Sequence, residues 1–302
     1  MDVSTNAAGL LFAAVALGAW SGLSFCIRNA MRDAPLFKTT AMASTLNGAL
    51  VTVIAFAYLP ASAFIPSRRS TIYLLILLGI GMIALSRLTY YFAIRRIGPS
   101  RTIPVASSTP AVIAFLAAFY LDEPVTLRML VGLALLIGGV IIVVRSDPGH
   151  AGTGDPQSGR DRMLGWISAG CTTLLWAVTG IMLKVAAQDV HSLAAAAMVM
   201  WVGAPVTWGI AWVAGLKTPQ VSFPRKNWRW LIAAVICQTA AIPAYSAALV
   251  RTLAVNVTSI TALQPMVVIF IAHLFLREAE NVTPRLVGGA CLTMVGTLVV
   301  LM

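Results

Sequence analysis

Ten apolar stretches of about 20 residues fill this chain, and about that length of helix is needed to cross a bilayer. They run approximately over 7–28, 38–59, 71–94, 99–120, 127–145, 163–185, 192–214, 228–250, 255–275 and 284–302. Of the 302 residues, 59% are hydrophobic and only 10% charged. Soluble domains carry roughly 25% charged residues, so this chain cannot clothe a soluble surface. Mean hydropathy is +0.88. The expected fold class is all-α integral membrane, with ten transmembrane helices. Asp2 is the only charge before Arg28. The first run therefore lacks the basic lead of a secretory signal and is expected to be a retained helix.

The runs also repeat. Trp20 is followed eight residues later by Arg28, and Trp176 eight residues later by Lys184. Pro110 precedes Glu123 by thirteen residues, and Pro265 precedes Glu278 by thirteen. The copies lie 156 residues apart for the Trp pair and 155 for the Pro pair. Duplication of this kind in a membrane protein is transporter architecture. The longest hydrophilic stretch includes Ser146-Asp147-Pro148-Gly149 and falls between five runs and five. Its composition reads as a flexible linker. The expected units are a first repeat over 1–145, a linker over 146–162 and a second repeat over 163–302.

Loop charge sets the orientation of the copies. Alternate connections, beginning with the first, hold 15 Lys and Arg, and the other set holds 5. By the positive-inside rule the richer set is cytoplasmic, which puts both termini outside. The bias reverses between equivalent loops of the two copies, because five helices per copy make the second enter from the opposite face. The expected result is an inverted repeat about an axis in the membrane plane.

Several functions are excluded. The net charge of +11 is spread over loops, so no basic patch on a soluble domain suits nucleic acid. Cys26, Cys171, Cys237 and Cys291 lack metal-site spacing, and no metal or cofactor is expected. There is no nucleotide-binding Gly-rich motif. His150 and His191 are isolated in loops and His273 is an end-of-run polar residue, a poor basis for a lipid-modifying enzyme.

The apolar runs contain few polar groups, and these are the site candidates. Trp20, Ser24 and Arg28 share one helical face, and Trp176, Gly180 and Lys184 repeat it. Arg28 and Lys184 either line a cavity or snorkel to the interface. Arg87 lies inside the third run with Tyr90 and Tyr91 beside it. An intramembrane arginine is a functional-site hypothesis. With every acid of the chain in a terminus, loop or helix end, its expected partners are substrate, water or backbone carbonyls. Asn47 (with Ser44), Ser107, Ser108, Gln238, Tyr245 and Gln264 complete the polar set. Pro110 and Pro265 are expected kinks or hinges. The Ala14, Gly18, Gly22 ladder is expected to let another helix approach closely. The glycines of the fifth and tenth runs could pack within the molecule or at a dimer face, so a monomer and a homodimer both remain open.

The doubled Trp20–Arg28 and Trp176–Lys184 faces, Pro110 to Leu121-Asp122-Glu123, Pro265 to Leu276-Arg277-Glu278, and the glycines Gly132, Gly138, Gly139, Gly288, Gly289 and Gly296 resemble the EamA-type families of the drug/metabolite transporter superfamily. The family often has Gly before the Glu, where this chain has Asp122 and Arg277. The resemblance covers nearly the whole chain. It implies ten helices around a central cavity, alternating access, and small metabolites as substrates of a bacterial inner-membrane protein. The related four-helix multidrug transporters rely on a Glu in the first helix, which is absent here. Fixed cations, aromatics and hydroxyls without a fixed anion suit a carboxylated solute. The expected function is export of amino acids or related carboxylated solutes, and the alternative is a multidrug exporter with a permissive aromatic cavity.

Overall fold

The computed structural model describes residues 3–109, 112–113, 127–146, 159–186, 189–215, 223–252, 257, 260–275 and 282–301. Their regular structure is helical: α1 (Val3–Ala30), α2 (Leu36–Tyr58), α3 (Arg69–Ile97), α4 (Pro99–Ala106), α5 (Leu127–Arg145), α6 (Gly159–Ala186), α7 (Ser192–Gly215), α8 (Trp228–Arg251), α9 (Gln264–Phe275) and α10 (Pro284–Leu301). Among the described residues, six helices are long and apolar enough to cross a membrane: α1, α2, α3, α5, α6 and α7. The fourth and ninth apolar runs are described only in part, as α4 with 8 residues and α9 with 12. Most of the linker, with Pro110, Asp122, Glu123 and Glu278, lies outside the described residues.

The outer faces of these helices are apolar. Val53, Trp212 and Phe270 are 68%, 70% and 62% exposed, which suits lipid rather than water. Inside, α1 packs chiefly on α8, α2 on α7, α3 on α6 and α5 on α10. The α1–α8 pair is antiparallel: Thr252, just past α8, donates to Asn6 at the start of α1 over 2.5 Å, and Asn227 at the other end donates to Ala30 O over 3.1 Å.

Close approach is set by glycine, but not at every position expected. The stripe facing α8 uses Gly9 and Ala13. A Cβ at Gly9 would stand 2.8 Å from Thr252. Ala14 and Gly18 face outward, and of the expected ladder only Gly22 meets α8, at Cys237. A strict four-residue spacing drifts around a helix of 3.6 residues per turn. In α5 and α10 the glycines pack within the molecule. A Cβ at Gly139 would lie 2.5 Å from Thr293 N, and one at Gly296 would lie 2.5 Å from Leu136 N. Gly288, by contrast, has nothing within 4 Å.

The third run, expected as a helix over 71–94, is helical but not uniform: Gly79–Leu85 is a π-helix between α-helical ends, and Ser86 N–H reaches back to Gly81 O. A Cβ at Gly79 would stand 2.5 Å from Val202 of α7, and Gly203 lies against Ile83. The helix widens where the two backbones crowd. Each extra residue in a wide turn rotates all that follows by about 100°. Arg87 lies two residues past the π-helix, so the widened turn bears on the direction in which it and Tyr90 point.

Candidate functional site

Polar and aromatic candidates from five helices meet in one buried region. Arg87 of α3 is 9% exposed. Its guanidinium donates from Nη1 to Ser44 Oγ over 3.2 Å and from Nη2 to Asn47 Oδ1 over 3.3 Å, both on α2. Asn47 Nδ2 donates onward to Thr239 Oγ1 of α8 over 2.8 Å. Asn47, Ser44 and Thr239 are themselves buried. Among the described residues the partners of Arg87 are therefore neutral side chains, where substrate, water or backbone carbonyls were expected. Each described bond leaves the positive charge in place.

An aromatic wall stands beside this network. Tyr90 shares a hydroxyl–hydroxyl hydrogen bond of 2.9 Å with Ser24 of α1. Its ring lies 5.1 Å from Trp176 of α6 at an interplanar angle of 45°, and 5.9 Å from Tyr91. Trp20 of α1 lies 5.2 Å from Tyr245 of α8 at 50°. Tilted rings at these separations are in the favourable range for aromatic pairs.

These two ring pairs are copies. Trp20 and Trp176 are 156 residues apart, and Tyr90 and Tyr245 are 155 apart. The Trp of each copy meets the Tyr of the other. The sequence reading named all four residues but did not pair Tyr90 with Tyr245. The signal was available in the shared offset.

Other candidates fall elsewhere. Arg28 is half-buried in the last turn of α1. Lys184 lies in α6, with its side chain outside the described set. Ser108 bonds its own turn at Val105 O over 2.6 Å, and Ser107 O accepts from Thr297 of α10 over 3.3 Å. Both serve the α4 terminus and its packing. Gln264 and Pro265 open α9 directly after the turn at Ala262-Leu263. Pro265 is thus at a first turn, where proline is tolerated, rather than inside a continuous helix. On α8, Thr239 carries the described bond to Asn47, not the adjacent Gln238. His273 is exposed.

Reading the sequence missed Arg101. Counted there as a loop cation, it is fully buried in α4, with Nη1 3.5 Å from Ile97 O. No pattern separates it from Arg95 and Arg96 nearby. It also missed Thr172 of α6, whose hydroxyl donates to Thr89 of α3 over 2.8 Å.

Beyond the centre, a cavity of about 510 Å³ opens at the end of α1 and the start of α8, lined by Arg32, Asp33, Lys226, Arg229 and Trp230 among others. Among the described residues no three His, Cys, Asp or Glu side chains could hold a metal ion together.

No curated protein sequence matches the chain. A solved structure, described as a crystal structure of a protein, matches with a TM-score of 0.66 at 18% identity, covering 98% of this chain and 97% of that one. It shares the fold alone. The profile of the EamA-like transporter family matches residues 7–145 and again 163–302. With both copies matched over nearly the full length, the chain is a multi-pass membrane transporter and belongs to the EamA-like transporter family.

Proposed function

We propose that this chain is a secondary transporter that exports amino acids or related carboxylated solutes by alternating access, binding them at Arg87. The observation that carries this reading is a buried guanidinium whose partners among the described residues are neutral. A charge removed from water is costly unless an opposite charge meets it. A carboxylate answers that need with two parallel hydrogen bonds to the guanidinium. Tyr90, Tyr91, Trp20, Trp176 and Tyr245 then offer an apolar wall for the rest of the solute. Arg28 and Lys184 are further cations for the carboxylate route.

Ten spans in two inverted five-helix repeats (1–145 and 163–302, joined by 146–162) supply the motion. Support comes from the helix partners. Exchanging the copies turns α1–α8 into α6–α3 and returns α2–α7 and α5–α10 to themselves, and all four pairs are present. The loop charges support an orientation in a bacterial inner membrane with the richer set of loops in the cytoplasm and both termini outside. Pro110 and Pro265 are the proposed hinges.

A panel of labelled amino acids and other carboxylates in proteoliposomes tests the substrate. No flux of any carboxylated solute sinks this reading. The five-ring aromatic wall favours a second reading, a multidrug exporter. A resistance screen in cells carrying the transporter separates the two.

A further inference from the structure

At the start of the third helix of each half stands a carboxylate from the other half. The N-cap residue of α3, Arg68, makes no side-chain cap. Instead Asp189, from the loop between α6 and α7, accepts Arg68 N–H over 3.1 Å and hydrogen bonds from Thr71 and Ser67. The N-cap residue of α8, Asn227, likewise makes no side-chain cap. Beside it Lys226 pairs with Asp33, from the loop between α1 and α2, at 2.7 Å. Asp33 and Asp189 are 156 residues apart, the offset of the two Trp residues. They are the same residue of the repeat, and each reaches the third helix of the opposite copy.

The two contacts also lie at opposite ends of the bundle. Asp33 follows α1, and Tyr90 near the end of α3 bonds Ser24 near the end of α1, so α1 and α3 run the same way. Arg96 at the end of α3 pairs with Asp161 at the start of α6, so α6 runs against them. Asp189, after α6, is therefore at the far mouth. One mouth opens on the cavity that Asp33 and Lys226 line, and the aromatic pairs lie between the two mouths.

We propose that Asp33 and Asp189 are paired latches, each closing one mouth of the transport path by tying the loop after one copy's first helix to the third helix of the other copy. This inference rests on the alternating-access reading. When both are fastened the solute site is occluded, and releasing one opens its own side only. The latches differ in strength of attachment: Asp189 is held by hydroxyls and a backbone N–H, Asp33 by a lysine. Both are exposed contacts of modest worth, as a part that must open repeatedly requires.

A reporter that needs no substrate tests this. Cys237 is half-buried in α8, about 16 Å along the helix from Lys226 and about 21 Å from Arg251 at 1.5 Å per residue. With Cys26, Cys171 and Cys291 replaced by Ala, Cys237 is labelled by a membrane-impermeant maleimide in right-side-out and in inverted vesicles. Asp33→Asn should raise labelling about two- to fivefold from one face, the scale of one exposed carboxylate contact. Asp189→Asn should raise it similarly from the opposite face. Asp33→Glu and Asp189→Glu should stay near the parent. No change, or a change on the same face for both, overturns the proposal. If an Asn variant fails to fold, Asp33→Cys with Lys226→Cys, oxidised by copper–phenanthroline, should abolish labelling from the Asp33 face until reduced. Persistent labelling overturns the proposal equally. Opposite-face opening without carboxylate flux would keep the latches and discard the substrate, and the reverse result would discard the latches alone.

Discussion

The two copies agree in their helix contacts and aromatic pairs and disagree around one guanidinium. Asp33 matches Asp189, Trp20 matches Trp176 and Tyr90 matches Tyr245. The glycine contacts of α5 and α10 match as well. Gly139 approaches Gly289 O, and Gly296 approaches Gly132 O, both at 2.8 Å from the Cβ position. Yet Arg87 is matched 155 residues on by Ile242, and Ser24 is matched 156 on by Gly180. Ile242 packs with the apolar cluster around Met200 and Leu78. Paired parts recur at the helix contacts that the two halves share. Unpaired parts gather around one guanidinium.

The largest effect should come from breaking that asymmetry. Arg87→Gln keeps a hydrogen-bonding side chain for Ser44 and Asn47 but removes the charge. Loss of charge-assisted bonding worth about 1.5–3 kcal/mol lowers flux roughly 10- to 100-fold. Ile242→Val, at the matched position, should hold flux within about twofold. Initial-rate transport of a carboxylated solute measures both, with thermal melting as the control for folding. Equal effects would mean that Arg87 is scaffold.

Symmetric positions should instead fail together. Gly139→Ala and Gly296→Ala each push a methyl into backbone atoms at 2.5 Å, which a helix pair relieves only by separating. Overpacking of this kind costs about 1–3 kcal/mol. Both variants should lower the melting temperature by similar amounts. Gly288→Ala, with open space around it, should leave it unchanged or slightly raised. Unequal losses at Gly139 and Gly296 would break the two-fold description of this helix pair.

The sequence carried the scaffold well because a membrane makes its rules strict. Apolar runs between charged loops must span, so α1, α2, α3, α5, α6 and α7 could be read directly. The site was legible in its polar residues, since few polar groups occur in the runs and Trp20, Ser24, Asn47, Arg87, Tyr90, Trp176 and Tyr245 do converge. What was not legible depends on distance between helices. The π-helix at Gly79–Leu85 arises from crowding against α7, which no local pattern in α3 records. Gly9 rather than Gly18 faces α8 because packing follows the 3.6-residue turn. Arg101 reads as a loop charge because burial at a helix start leaves no periodic mark.

A smaller difference is expected between the two tyrosines. Both rings pair with a Trp of the other copy, but only Tyr90 has a hydroxyl partner described at its counterpart serine, Ser24. Tyr90→Phe loses a buried hydrogen bond worth about 1 kcal/mol, or roughly fivefold. Tyr245→Phe keeps its ring contact and should cost less than twofold. Solute affinity measured by competition would show the gap, and its absence would make the hydroxyl pair incidental to binding.

The smallest effect concerns pH at the two mouths. The Lys226 ammonium, with Arg32 nearby, holds Asp33 below the usual carboxylate value of 3.8. The Thr71 hydroxyl, followed by Arg68 N–H and Ser67, does the same for Asp189. A carboxylate with a depressed value in the closed state stabilises that state fully above about 3.8, and the stabilisation disappears as pH falls through the depressed value. Neither latch should therefore change between pH 8 and 5. The ratio of Asp189→Asn to parent labelling at Cys237 cancels the pH dependence of thiol reactivity itself. It should stay constant over that range and fall toward one only as pH drops through the depressed value, below 3.8, where the parent carboxylate is protonated too. His191 follows Asp189 by two residues, and Arg68 and Arg69 stand on the facing helix. Arg32, Lys226 and Arg229 surround Asp33. A step in the ratio between pH 8 and 5 at the Asp189 mouth alone would remove Asp189 as the counterpart of Asp33.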